Sequence, residues 1–72
     1  MEKMEQRMYM TTGELAKLMG ITKETLFHYD EIGLFRPAVV MKNRYRYYEV
    51  SQMELLDAIL LLKELGMPLK EI

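Results

Sequence analysis

The stretch Thr12–Ile32, TGELAKLMGITKETLFHYDEI, reads as two short helices around a three-residue turn, Gly20-Ile21-Thr22. Thr11 opens a T-x-x-E box with Glu14, the reciprocal cap of a helix N-terminus, with Met10 and Leu15 placed as its hydrophobic staple. Thr22 caps the second helix, and Ile21 and Leu26 are placed as the staple there. A small residue at Ala16 lets the second helix cross closely. Gly20, four residues on, can take the left-handed conformation that ends the first helix. Leu15, Met19, Ile21, Leu26 and Tyr29 then supply a shared apolar core. This is the spacing of a helix-turn-helix, whose second helix enters the DNA major groove. The same features also describe an ordinary helical hairpin that binds nothing.

At 72 residues the chain is one domain, near the size at which a single core is only marginally stable. Half of it is apolar, which makes it globular rather than disordered. No apolar run approaches the about 20 residues of a membrane span, and MEKMEQRMYM has no apolar stretch of signal-peptide type. The absence of cysteine excludes a disulfide framework or thiolate metal site within this chain and fits a cytoplasmic protein. A single histidine gives no basis for a catalytic triad or a histidine-rich metal site, so neither an enzyme nor a bound cofactor is expected.

The net charge of −1 does not advertise a nucleic-acid partner, but its distribution matters more than its sum. Gly33–Tyr48 holds Arg36, Lys42, Arg44 and Arg46 and no acid, whereas Glu2, Glu5, Glu14, Glu24, Asp30 and Glu31 precede it. Such a patch suits DNA and equally suits a solvated loop.

Residues 1–8 read as a flexible leader, and 9–72 as the folded domain. Tyr9 and Met10 can pair as a short strand or pack against the first helix. That helix runs from about Thr12 to Met19, and the second from about Lys23 to Ile32. Winding the second helix at its period puts Thr25, Leu26, Tyr29 and Ile32 on the core side and Lys23, Glu24, Phe27, His28 and Glu31 outside. Phe27 needs a partner there: the following loop, or a thymine methyl or sugar. His28 can donate to a base or phosphate, and Glu24 reads as a solvated residue near the positive helix end. Gly33 stops the helix, Leu34 and Phe35 return to the core, and Pro37 prevents further helix.

Ala38–Val40 and Tyr45–Tyr48 read as short strands joined by Met41-Lys42-Asn43-Arg44, with Asn43 able to take positive φ. A basic hairpin directly after a helix-turn-helix is a wing, whose Lys42, Arg44 and Arg46 can neutralise phosphates. It can also be a solubilised edge hairpin. Ser51 opens a third helix through S-x-x-E with Glu54, stapled by Val50 and Leu55, running to about Leu65 before Gly66. Leu55, Ala58, Ile59, Leu61, Leu62 and Leu65 form one broad apolar side. Met53, Leu56 and Leu60 form a second stripe, expected to meet another element or another chain. Pro68 sits in the first turn of a fourth helix that stops almost at once, so the chain reads as a piece of a longer protein.

These elements and their order resemble the N-terminal DNA-binding domain of the MerR family of bacterial transcription regulators. The resemblance covers about Tyr9–Ile72 and rests on TTGELAKLMGIT, TLFHYDEIGLFRP, YRYY and LLKELGMPLKEI taken together. It implies a mainly α, winged helix-turn-helix with two further helices, followed by a long dimerisation helix and an effector domain beyond Ile72. It also implies a homodimer on pseudo-palindromic promoter DNA, bending and untwisting an over-long spacer so that RNA polymerase can use the promoter when an effector arrives. By position, Tyr29 matches the second aromatic of the family's L-R-Y-Y segment. Arg46 matches the wing arginine facing the phosphate backbone, with Tyr45 and Tyr48 beside it. Lys23 falls in the early recognition helix, and Thr12 begins the first helix, where backbone amides can meet phosphate.

The chain departs from the pattern at Phe27 and His28, where arginine then tyrosine are usual, at Glu24 for arginine, and at Arg44 for a turn glycine. Two phosphate contacts are then missing from the second helix, and more of that work falls on the wing. The expected DNA contacts are Thr12, Lys23, Phe27, His28, Tyr29, Lys42, Arg44, Tyr45 and Arg46. The alternatives are a small winged-helix excision or architectural factor, and a protein-interaction module built on Phe27 and the second stripe.

Overall fold

The computed structural model describes residues 8–72. Of the expected leader, only Met8 falls within that range. In chain order the elements are β1 (Tyr9–Thr11), α1 (Thr12–Met19), α2 (Lys23–Glu31), β2 (Val39–Val40), β3 (Arg46–Glu49) and α3 (Gln52–Glu64), followed by a 3-10 turn at Leu69–Glu71.

The caps of the helix-turn-helix close as their spacing requires. The Thr11 amide donates to Glu14 Oε1 at 2.9 Å, and the Glu14 amide to Thr11 Oγ1 at 3.1 Å. Gly20 takes φ 73° and ends α1, after which the Ile21 amide donates to the Ala16 carbonyl at 3.0 Å. A side chain at that φ would cost about 1–2 kcal/mol, so glycine is the residue for the turn. Thr22 Oγ1 accepts the Thr25 amide at 3.2 Å and starts α2. Leu15, Ala16, Leu26 and Tyr29 are buried between the helices.

Ile32 does not join them; it is 48% exposed. α2 ends at Glu31 and Gly33, at φ 75°, reverses the chain. The Leu34 and Phe35 amides both donate to the Tyr29 carbonyl, at 2.8 and 3.2 Å. Phe35 is thereby driven inward in place of Ile32 and is buried.

Tyr9–Thr11 is a strand. It pairs antiparallel with β3, Met10 opposite Tyr48, and β3 pairs on its other side with β2, Val40 opposite Arg46. The wing is therefore part of a three-stranded sheet in the order β1-β3-β2, not a free hairpin. β1 runs directly into α1, so the sheet is tied to the helix-turn-helix by the Thr11 cap. The strands are displaced from their expected bounds: Ala38 and Tyr45 lie outside them and Glu49 lies inside.

The positive φ in the hairpin falls on Arg44, at 72°, not on Asn43. The Met41 amide donates to the Tyr45 carbonyl at 2.8 Å and the Arg44 amide to the Met41 carbonyl at 2.9 Å. That closes a three-residue loop whose last position is left-handed. Asn43 contributes its side chain instead, Oδ1 accepting the Tyr45 amide at 3.1 Å.

α3 begins differently from its S-x-x-E spelling. Ser51 is itself helical, at φ −62° and ψ −20°, and makes no side-chain cap. Its hydroxyl donates to Glu49 Oε1 at 3.2 Å, and Gln52 Oε1 accepts the Glu49 amide at 2.8 Å. Val50 and Leu55, the expected staple, are both exposed. The core face of α3 is drawn from both apolar stripes. Leu56 is buried with Met53 and Leu60 packed beside it, so the second stripe meets this domain's own core, and Ile59 of the broad side is buried with them. The rest of the broad side lies largely open, with Leu55, Leu61 and Leu65 at 55%, 56% and 74% exposure. Beyond it Pro68 caps the 3-10 turn from an extended conformation rather than from inside a helix, and Leu69 and Ile72 pack against the core.

The left-handed Arg44 gives a stability prediction. Arg44→Gly is expected to relieve about 1 kcal/mol of backbone strain. In a domain of this size that raises the thermal midpoint by about 4–8 °C. A circular-dichroism melt with an unchanged or lowered midpoint would show that the loop carries no such strain.

Candidate nucleic-acid interface

The interface starts at the N-terminus of α1. The amides of its first helical residues, Thr12 and Gly13, have no acceptor within the helix, and the positive end of the helix dipole lies with them. Lys23, the first residue of α2, lays its stem against this end: a β-carbon on Gly13 would stand 3.8 Å from Lys23 Cδ. Backbone amides and an ammonium are thus gathered where a phosphate can be held. Thr12 is only 8% exposed, so what it offers at this end is its backbone amide.

The next contact joins α2 to the wing. Phe27 is 40% exposed on the outer face of α2. Among the described residues it is met by Arg46, whose Cζ stands 4.9 Å from the ring centroid. The ring carries a cation on its face. The same guanidinium donates from Nε to Asp30 Oδ2 at 3.1 Å, and Arg36 Nε lies 3.5 Å from Asp30 Oδ1. Phe27, Asp30, Glu31, Arg36 and Arg46 line an open recess of about 440 Å³.

Asp30 and Arg36 are absent from the contacts expected from sequence. The signal that points to Asp30 lies in β3. Strand alternation puts Arg46 on the same face as Tyr48. Tyr48 is fully buried, so Arg46 is aimed at α2 and meets the acid one turn beyond Phe27. Nothing local to Arg36 marks it, because its place depends on how the chain leaves Gly33.

The remaining expected residues divide. His28 is exposed beside Lys23 and Phe27 on α2, and Lys42, Arg44 and Tyr45 are exposed at the hairpin tip. The structure thus brings Lys23, Phe27, His28 and Arg46 into one neighbourhood and holds Lys42, Arg44 and Tyr45 on the loop that extends it.

Tyr29 is placed apart from these residues. It is 1% exposed, and its hydroxyl is buried without a hydrogen-bond partner among the described residues. Its spacing from Leu26 carries the ring into the core, away from any groove. Tyr48 is buried in the same way, and among the described residues its hydroxyl has at most a weak approach from the Thr12 side chain. Burial pushes its phenol above the ordinary 10.0 and the Asp30 charge pushes the same way, against Arg46 and the Thr12 hydroxyl, so it stays neutral.

A helix-turn-helix with an anion-ready helix end, joined through a cation to a β wing, defines a winged-helix DNA-binding domain. The chain belongs to the MerR family of transcription regulators. Residues 10–72 match the family described as MerR HTH family regulatory protein. The chain is similar to the multidrug-efflux transporter 2 regulator of Bacillus subtilis, 59% identical over 64 residues, covering 89% of this chain and 23% of that protein. It is 48% identical over 64 residues to the transcriptional regulator BrlR of Pseudomonas aeruginosa, covering 88% and 24%. The fold superposes on MtaN, the N-terminus of the Bacillus subtilis multidrug transporter activator, with TM-score 0.80 and 35% identity, covering 86% of this chain and 58% of that one. These are regulators rather than enzymes, and this chain spans about a quarter of the curated relatives' length. The match selects the regulator reading over an excision factor or a protein-interaction module.

The placement of Tyr29 can be tested directly. Tyr29→Phe removes a buried hydroxyl that has no partner, which is expected to stabilise the domain by up to about 1 kcal/mol. Affinity for duplex DNA should be unchanged. A drop in affinity with an unchanged melt would return Tyr29 to the interface.

Proposed function

We propose that this chain holds promoter DNA as one half of a homodimer, with α2 in the major groove and the wing on the backbone. Lys23, Phe27 and His28 face the groove. Lys42, Arg44, Tyr45 and Arg46 face the backbone, and the Thr12 and Gly13 amides meet a phosphate beside Lys23. The observation that carries the reading is the contact of Arg46 with Phe27, because it makes helix and wing one surface.

Dimerisation occurs through a region beyond Ile72. The open apolar side of α3 supports it, since a lone small domain gains nothing from leaving Leu55, Leu61 and Leu65 in water. An effector bound by a further domain alters the DNA spacer and so the use of the promoter by RNA polymerase. The whole assembly works in the cytoplasm, where promoter DNA is reached. Glu24 on the outer face of α2, and the absence of arginine at Phe27, shift phosphate contact toward the wing. The operator is therefore read with a weaker helix contribution and a stronger backbone one.

The promoter controlled by the 59% identical relative is the first DNA to try, because the identity falls in the part that would read it. Binding should be measured by fluorescence anisotropy against salt. Arg46→Ala is expected to lower affinity for that duplex and for a scrambled one alike, by about 1 kcal/mol or more, and to reduce the salt slope by about 1. Equal binding after both Lys23 and Arg46 are neutralised would rule out the groove-and-wing arrangement.

A further inference from the structure

Asp30 is the only acid that the described residues place in ion-pair contact with the wing arginine. We infer that Asp30 is a positioning residue for DNA binding, its carboxylate fixing the Arg46 guanidinium so that the terminal nitrogens are presented to a phosphate. The inference rests on the DNA-binding reading above.

Two contacts define the orientation. The Phe27 ring, 4.9 Å from Arg46 Cζ, supports the guanidinium, and the 3.1 Å bond from Nε to Asp30 Oδ2 fixes its rotation about the side-chain axis. A guanidinium donates from Nε and from both terminal nitrogens, in a rigid fork that suits phosphate. With Nε engaged by Asp30, the terminal nitrogens remain for bidentate contact. The Arg46 side chain is 34% exposed, so it is held yet still reachable from outside.

An acid beside a phosphate-binding cation also repels phosphate, and the two effects must be weighed. Asp30 is shared: its other oxygen faces Arg36, whose side chain is 68% exposed. The trio of Asp30, Arg36 and Arg46 therefore keeps a net positive charge of one. Glu31 lines the same recess but forms no ion pair with either arginine among the described residues. The attraction for phosphate survives, while Arg46 is spared the ordering that a long free side chain would undergo on binding. The ordering advantage of one such side chain corresponds to about 2- to 10-fold in affinity. A partly exposed ion pair of this kind contributes little to folding, which separates its role in binding from one in stability.

The test is a double-mutant cycle on promoter duplex, with wild type, Asp30→Ala, Arg46→Ala and the double variant measured at two salt concentrations. Asp30→Ala should weaken binding about 2- to 10-fold when Arg46 is present and leave it unchanged in the Arg46→Ala background. Its salt slope should match wild type, because no cation is lost. Asp30→Asn keeps an acceptor for Nε and should restore binding to within about twofold. Tighter binding by Asp30→Ala, or the same loss in both backgrounds, overturns the positioning role while leaving the DNA-binding reading intact. Full affinity in Arg46→Ala itself overturns both. Should Asp30→Ala fail to fold, the wild-type chain decides by nuclear magnetic resonance. An Arg46 Hε that exchanges slowly with water supports the clamp, and one as fast as that of the hairpin-tip Arg44 overturns it.

Discussion

Phe35 and Tyr48 stack with ring centroids 5.5 Å apart and planes 7° from parallel, and both are buried. One ring comes from the loop that leaves α2 and the other from β3, the central strand of the sheet. The contact therefore sets where the wing stands relative to the second helix. An aromatic pair adds about 0.5–1.5 kcal/mol beyond the area it buries, a sizeable part of what a domain this small has to spare. Its geometric consequence is larger. Arg46 stands two residues before Tyr48 on the same strand face, so fixing Tyr48 in the core brings Arg46 over Phe27 and against Asp30.

That chain of contacts explains how an acidic chain presents a DNA-binding surface. The net charge is −1, yet the cations are not spread evenly. Lys23 lies at the α1 N-terminus, Arg46 and Arg36 bracket Asp30, and Lys42 and Arg44 sit on the hairpin loop. Phe27, which looks misplaced on an outer helix face, becomes the support for a cation contributed by another element. The helix thus gains through the wing a positive charge that its own sequence lacks at that point.

Much of this was legible in the residues, and the division follows range. The Thr11–Glu14 box, the Thr22 cap and the Gly20 turn depend on atoms within a few positions of each other, and the structure reproduces them. The wing was legible from β-branched and aromatic residues around a polar turn. What escaped depends on the fold as a whole. Helical periodicity sorts α3 into stripes but does not say where the core face falls; packing against the sheet buries Leu56 from one stripe and Ile59 from the other. Ile32 fits the helical period and lies exposed because Gly33 swings Phe35 into its place. Ser51 reads as a cap, but the strand just before it offers Glu49 as a nearer partner. Tyr29 matches a family position in the sequence, while its ring lies in the core. Asp30 and Arg46 are sixteen residues apart and meet only across the α2–β3 junction.

If the α1 N-terminus, α2 and the wing form one surface for DNA, built around Arg46, an amide chemical-shift titration of the chain with promoter duplex shows it most directly. Shifts should concentrate at Thr12, Gly13, Lys23, Phe27 and His28 and along Lys42–Arg46, with the Arg46 side-chain resonance moving alongside them. Shifts confined to the open side of α3, around Leu55, Leu61 and Leu65, with Phe27 and Arg46 unmoved, would contradict it.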